Sequence, residues 1–132
     1  MKSFKEFFFE NVDINNLTLK TNSEKAPIGG YNEHVRLFDN DKEIAHIKTI
    51  VQSEYVNILA LYVQQLYREK GLAKRLLKYV IDKYPEKDVY IRPYAYKDQP
   101  MSDKQLEQFY KKMGFEQDVN RPKGHLIKYY HK

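Results

Sequence analysis

The chain has 132 residues, the size of one ordinary domain, so a single core spanning 1–132 is expected. Its 42% apolar and 31% charged residues exclude a disordered chain, and the absence of cysteine excludes disulfides, thiolate zinc sites and a cysteine nucleophile. The formal charge of +5 is concentrated between Leu66 and Tyr84, where six cations (Arg68, Lys70, Lys74, Arg75, Lys78, Lys83) stand against Glu69 and Asp82, a field that gathers anionic ligands or simply solvates a helix face.

The longest apolar run, Ile58 to Val63, is too short to cross a bilayer, so no membrane partner is expected and a reducing cytoplasm suits the cysteine-free composition. Met1 to Asn11 reads as a short helix with Phe4, Phe7 and Phe8 at helical spacing. Ile14 to Lys20 has the texture of a strand. Thr21 to Asn32, with Pro27, Gly29 and Gly30, reads as a loop. His34 to Phe38 and Glu43 to Val51 flank the turn Asp39-Asn40-Asp41-Lys42 and predict a hairpin. Tyr55 to Val63 is dense enough in apolar residues to predict a central strand buried on both faces.

The period then changes. Apolar residues at 72, 76, 80 and 84, and again at 73, 77 and 81, align only on a helix, and Pro85 ends it. Asp88 to Arg92 returns to alternation, with Val89 and Ile91 on one face. Strand, helix and strand from Leu59 to Arg92 form a parallel crossover, which predicts an α/β domain. Ser102 and Gln105 make a capping box for a last helix, with Met101 placed to staple to Leu106. Leu106, Phe109, Tyr110 and Met113 share its inner face, and Gly114-Phe115 caps its end. A final strand is expected near His125 to Tyr130.

Between the strand ending at Val63 and the helix beginning near Gly71 lies Tyr67-Arg68-Glu69-Lys70-Gly71-Leu72-Ala73. Backbone N–H groups at such a helix start converge on an anion. Gly71 permits close approach, Ala73 keeps the first turn slim, and Arg68, Lys70 and Lys74 can add charged contacts. Neither a glycine-x-glycine-x-x-glycine nor a glycine-lysine-serine/threonine pattern is present, so dinucleotide and nucleoside-triphosphate loops lack support.

This stretch, preceded by Leu61-Tyr62-Val63, resembles the acetyl-CoA motif of the GNAT N-acetyltransferases, in which Arg68, Gly71 and Ala73 stand at the motif positions. Phe109-Tyr110-Lys111-Lys112-Met113-Gly114-Phe115 resembles that family's tyrosine helix, and the likeness spans roughly residues 34 to 130. The resemblance implies a central mixed sheet with splayed strands flanked by helices. It also implies acetyl-CoA as co-substrate with no metal, and direct attack by an amine acceptor. It assigns Leu61, Tyr62 and Val63 to the pantetheine arm, and Arg68, Glu69, Lys70, Gly71, Leu72, Ala73 and Lys74 to the pyrophosphate. Asp103 stands where the family often carries an asparagine that touches the cofactor's arm. Tyr110 is the implied general acid, its alternative being packing on an apolar helix face. Asn57 occupies a position that holds a glutamate in some members, which leaves Glu54, Glu33, His34 and His46 as candidate bases, Glu54 foremost.

The family usually places two helices between its first two strands. The dozen residues from Thr21 to Glu33 cannot hold them, which implies a shortened N-terminal helical region. The acceptor groove is then open, or completed by the Met1 to Asn11 helix or by a second subunit in a homodimer. An open groove suits a peptide or protein amine, with small amines also open. Separately, Met1 to Glu10 is similar to the targeting segment of internal head proteins of T-even-like bacteriophages, with Phe8-Phe9-Glu10 matching the prohead-protease pattern. That would imply packaging in a phage head, the alternative being an amphipathic helix docked on the sheet. The rival to an enzyme is a basic module gripping nucleic acid or an anionic surface through Arg68 to Lys83, with some of the twelve tyrosines stacking on bases. A third reading keeps acyl-CoA binding without catalysis.

Overall fold

A computed structural model describes residues 16–27, 29–68, 71–93 and 102–130. The Met1 to Asn11 helix, the targeting segment, the Met101 staple and the pair Glu69 and Lys70 all lie outside these residues. Seven strands, β1 (Thr18–Lys25), β2 (Tyr31–Asp39), β3 (Lys42–Val51), β4 (Tyr55–Val63), β5 (Asp88–Ile91), β6 (Glu116–Gln117) and β7 (Leu126–Lys128), form one mixed sheet in the order β1-β2-β3-β4-β5-β7-β6. Among the described residues two α-helices accompany it, α1 (Leu72–Lys83) and α2 (Asp103–Lys112), with a single 3-10 turn at Gln65–Tyr67. The α/β class and the mixed sheet agree with the sequence reading.

The β2–β3 hairpin turns on Asn40, whose positive φ of 57° suits the tight link between paired Asp39 and Lys42. Three residues beyond the turn, the register slips at a bulge that leaves Ile44 unpaired between Leu37↔Ala45 and Phe38↔Glu43. From there alternation sends Val35, Leu37, Ile47 and Val51 to a face that joins Leu72, Leu76, Leu77 and Val80 of α1 in the core. The opposite face carries His34, Arg36, His46 and Lys48.

Three expectations change. β1 begins four residues later than predicted and runs on through Thr21 to Lys25, so the first five residues of the expected loop are strand paired with Tyr31 to Val35. β1 and β2 are therefore joined by a short turn closed by the Ala26 N–H donating to the Gly30 carbonyl at 3.0 Å. Second, β4 is central but not buried on both faces. Val56, Ile58 and Val63 are buried, whereas Leu59 is 49% exposed, because α1 covers only one side of the sheet there. Third, β6 was not anticipated: two residues pair with β7, which itself inserts between β5 and β6.

The helix signals appear as expected. The Ser102 hydroxyl accepts from the Gln105 N–H at 3.2 Å and the Gln105 side chain accepts from the Ser102 N–H at 2.9 Å. At the other end, the Phe115 N–H donates to the Tyr110 carbonyl and the Gly114 N–H to the Lys111 carbonyl, with Gly114 at φ 100°. This is the left-handed cap that only glycine adopts without strain.

Candidate active site

β4 and β5 run parallel and pair only from Tyr55↔Asp88 to Ile58↔Ile91. β4 then continues for five residues, Leu59 to Val63, past the last pair. Pairing stops there because β5 itself ends at Ile91. Against β3 the register moves from Lys48↔Ala60 to Thr49↔Ile58, which leaves Leu59 as the extra residue of a bulge. A bulge bends its strand and raises the local twist, and among the described residues no strand lies beside Leu59 to Val63 on the β5 side. The Gln64 N–H donates to the Ile44 carbonyl at 2.8 Å, which fixes the parity of the strand. By alternation Tyr62 turns its backbone to β3, while Leu61 and Val63 turn theirs into the opening.

The loop after β4 is tied down from both ends. Tyr67, buried, donates its hydroxyl to Asp39 Oδ2 at 2.8 Å, and burial together with that bond pushes its pKa up to about 12. Arg68 Nε donates to the Val63 carbonyl at 2.8 Å, and the guanidinium lies 5.6 Å from the centre of the Tyr62 ring. Arg68 therefore already holds one backbone group at the mouth of the opening. Gly71 caps α1 at φ 76°, its carbonyl accepting from the Arg75 N–H at 2.9 Å, and no side chain caps the helix start. Leu72 points into the core, so its contribution to a ligand would be its N–H; Ala73 is half-buried and Lys74 is exposed.

The structure brings Leu61, Tyr62, Val63, Arg68, Gly71, Leu72, Ala73 and Lys74 to one end of β4 and the start of α1. Asp103 opens α2 and is exposed. Tyr110 is buried in the same helix, its ring edge-on to Phe109 at 5.2 Å and to Phe115 at 5.5 Å. Glu54 is not part of this grouping. It sits exposed in the turn before β4, about 17 Å along the strand from Leu59 at about 3.3 Å per residue, too far to exchange a proton there. Glu33 is buried on the α1 side of the sheet, where its Oε2 accepts from Lys83 Nζ at 2.8 Å and from the Tyr84 hydroxyl at 2.9 Å.

The remaining two candidates, His34 and His46, meet on the face away from α1, with ring centres 5.2 Å apart and planes nearly perpendicular. Arg36 donates to His34 Nδ1 from Nε at 3.1 Å and from Nη2 at 2.9 Å, which leaves the imidazole proton on Nε2. Burial, then the positive charges of Arg36 and Lys48, hold His34 below its ordinary pKa. Burial does the same for His46, with Glu43 opposing and Lys48 and Arg36 assisting. His34, Glu43 and His46 place ligand-type atoms within 4.8 Å of one another. Arg36 Nε, 3.4 Å from Glu43 Oε1 and 3.1 Å from His34, already supplies the cation among them, and the donor it turns on His34 is the reverse of the acceptor that supports a metal-bound histidine.

Beside this cluster is a cavity of about 320 Å³ that crosses the sheet from Asn22 and Glu24 of β1, past His34 and Lys48, to Leu59 at the bulge. Sequence reasoning did not single out Leu59, Lys48 or Arg36. The available signal was the spacing His34-x-Arg36 and His46-x-Lys48 on adjacent strands, but it becomes a site only once the register is known.

Compared with known families, residues 9–131 match the family described as Acetyltransferase (GNAT) domain. The chain belongs to the GNAT acetyltransferase family. No curated protein matches it in sequence. Among solved structures, a GNAT acetyltransferase from Elizabethkingia anophelis with acetyl-CoA bound is similar at TM-score 0.63 and 15% identity, over 87% of this chain and 99% of that one. The anti-CRISPR protein AcrVA5 is similar at TM-score 0.58 and 21% identity, over 71% of this chain and 95% of that one. The PaiA N-acetyltransferase of Thermoplasma acidophilum, in complex with coenzyme A, gives TM-score 0.55 and 20% identity over 74% of this chain and 60% of that one. At these identities the likeness is one of fold. It agrees with the mixed sheet of this GNAT domain and with the two α-helices beside it among the described residues. Among the described residues no helix is long and apolar enough to cross a membrane.

Proposed function

We propose that the protein transfers an acetyl group from acetyl-CoA to an amine. The observation that carries this reading is the stretch of β4 from Leu59 to Val63 beyond its last pair with β5, which leads to the glycine-capped start of α1. A thioester-bearing arm laid along β4 would satisfy the backbone groups of Leu61 and the N–H of Val63, which otherwise lack a strand partner on that side among the described residues, while Arg68 holds the Val63 carbonyl. Its pyrophosphate would meet the first N–H groups of α1, where Gly71 allows close approach and Lys74 adds charge. Glu69 and Lys70 complete the same loop in the sequence. Asp103, at the first turn of α2, is assigned to the arm on the strength of the family motif. The similar folds solved with acetyl-CoA and with coenzyme A bound support the same donor.

In this reading the amine nitrogen attacks the thioester carbonyl directly. A carbon–nitrogen bond forms, and the oxyanion is stabilised by a backbone N–H near the bulge. The carbon–sulfur bond then breaks, and the thiolate takes a proton from Tyr110 while the amine releases one. Tyr110 suits the part because its ring is clamped by Phe109 and Phe115 on a capped helix, so its hydroxyl is held in one place. The acceptor would enter by the cavity that ends at Leu59.

Thermal stabilisation decides the donor. Acetyl-CoA should raise Tm well above what matched pyrophosphate or duplex DNA achieves. Equal stabilisation by DNA would instead favour the basic-module reading. Thiol release in the presence of amines then separates an enzyme from a protein that only binds acyl-CoA.

A further inference from the structure

The cavity narrows the acceptor, an inference that rests on the acetyl-transfer reading above. Only the free base of an amine attacks a thioester. At pH 7 roughly one lysine ε-amine in two thousand is unprotonated, against about one α-amino group in ten. A site for lysine must therefore strip a proton from a strongly basic ammonium, which a nearby carboxylate does well. A site for an α-amine needs little help.

The end of the cavity that meets β4 is built against ammonium. Lys48 on β3 is in register with Ala60, next to Leu59. Arg36 stands one alternation further along β2, and the His34 and His46 rings beside it carry no charge at neutral pH. Across from His46 is Tyr62 of β4, with ring centres 5.8 Å apart. The carboxylates near the cavity are otherwise occupied or distant. Glu33 is among the residues lining the cavity, but its buried carboxylate is held through Oε2 by Lys83 and Tyr84 on the α1 side of the sheet. Glu43 lies against Arg36 and His46. Glu24 is on β1, three strands from β4 and so about 14 Å away at about 4.8 Å per strand. On β4, Asn57 carries an amide and no carboxylate. Among the described residues, then, Arg36 is matched by Glu43, and Lys48 is the cation at the β4 end of the cavity without an acid beside it.

We propose that the acceptor is an α-amino group, that of a peptide N-terminus or of a free amino acid, and that it enters this cavity already as the free base. Lys48 favours the neutral amine in the cavity just as a neighbouring cation depresses the pKa of a buried lysine. The ammonium proton is left in solvent before attack. The proton shed when the carbon–nitrogen bond forms leaves through the water of the cavity.

The test compares three acceptors at saturating acetyl-CoA and pH 7.5, followed by thiol release and mass spectrometry. They are a lysine-free peptide with a free N-terminus, an N-acetylated peptide with one lysine, and free alanine. The expected result is acetylation of the free N-terminus or of alanine at least tenfold faster than of the blocked lysine peptide, and the comparison of the first and third identifies the source. The advantage should shrink as pH rises toward 10. Lys48→Glu should shrink it at pH 7.5 by admitting the lysine ammonium and accepting its proton. Equal or faster modification of the lysine peptide overturns the proposal, as does a preference that Lys48→Glu leaves unmoved. If acetyl-CoA binds and neither class of amine reacts, the acceptor assignment also falls. Failure of acetyl-CoA to stabilise the wild-type protein is a different result, because it removes the donor reading itself.

Discussion

Substituting Gly71 tests the start of α1 more sharply than any charge removal. Its φ of 76° lies in the left-handed region, and a Cβ built there meets nothing within 4 Å. The cost of Gly71→Ala to the folded protein is therefore backbone strain alone, about 1–2 kcal/mol for a residue with a Cβ. For 132 residues at roughly 2.1 cal/mol/K per residue, that corresponds to a fall in Tm of about 4–7 °C. Asparagine tolerates this conformation, so Gly71→Asn should recover most of the loss. Ligand affinity should behave differently, since either side chain projects into the open space a pyrophosphate would use. Both variants should bind acetyl-CoA at least about tenfold more weakly, about 1.4 kcal/mol. Thermal denaturation and isothermal titration of the same samples separate the two effects. Equal destabilisation by alanine and asparagine would refute the strain argument. Unaltered affinity in both would place the phosphates elsewhere.

Arg68→Ala removes a bond to the Val63 carbonyl and the cation over Tyr62. It should weaken acetyl-CoA binding more than Arg68→Lys, because a lysine restores charge but not the fixed planar geometry; identical losses would mean that only charge matters. Tyr110→Phe keeps the ring packed between Phe109 and Phe115, so Tm should move by less than about 1.5 kcal/mol equivalent while kcat falls about a hundredfold. A maximal rate that is unchanged across pH would remove Tyr110 from the chemistry. Glu33→Gln strands Lys83 and Tyr84 beside a buried neutral amide and should cost about 1–3 kcal/mol in urea denaturation, whereas Glu107→Gln, which breaks an exposed pair with Lys111, should stay within about 0.5. His34 and His46 are both held below the ordinary imidazole pKa in the fold, so protonation favours the unfolded chain. Their contribution is present above about pH 6.5 and is lost as pH falls through the ordinary value toward the lower folded one. A His34→Gln, His46→Gln variant should lose less Tm between pH 8 and 5.5 than wild type, and parallel curves would contradict this.

Local interactions were legible from the sequence because their partners are three to five residues apart. The stripe of Leu72, Leu76, Leu77 and Val80, the stop at Pro85, the capping box at Ser102 and the Gly114-Phe115 end all stand where periodicity and cap chemistry put them. So does the turn at Asn40, and so does the loop whose Arg68, Gly71 and Ala73 carry the family likeness. What the tertiary structure decided depends on pairing between distant residues. Continued from the Asn40 turn without a slip, the hairpin would set His34 opposite Ile47 and Arg36 opposite Ala45. The single unpaired residue Ile44 instead sets them opposite Lys48 and His46, and so assembles the polar cluster. In the same way, the extra residue Leu59 shifts the register of β4 against β3, and β1 and β2 pair directly across a short turn with no helix between them. Each strand alone is compatible with either register, so the residues of the loop before α1 could be read from the chain, while the unpaired end of β4, the cavity and the distance of Glu54 from both existed only once the sheet had closed.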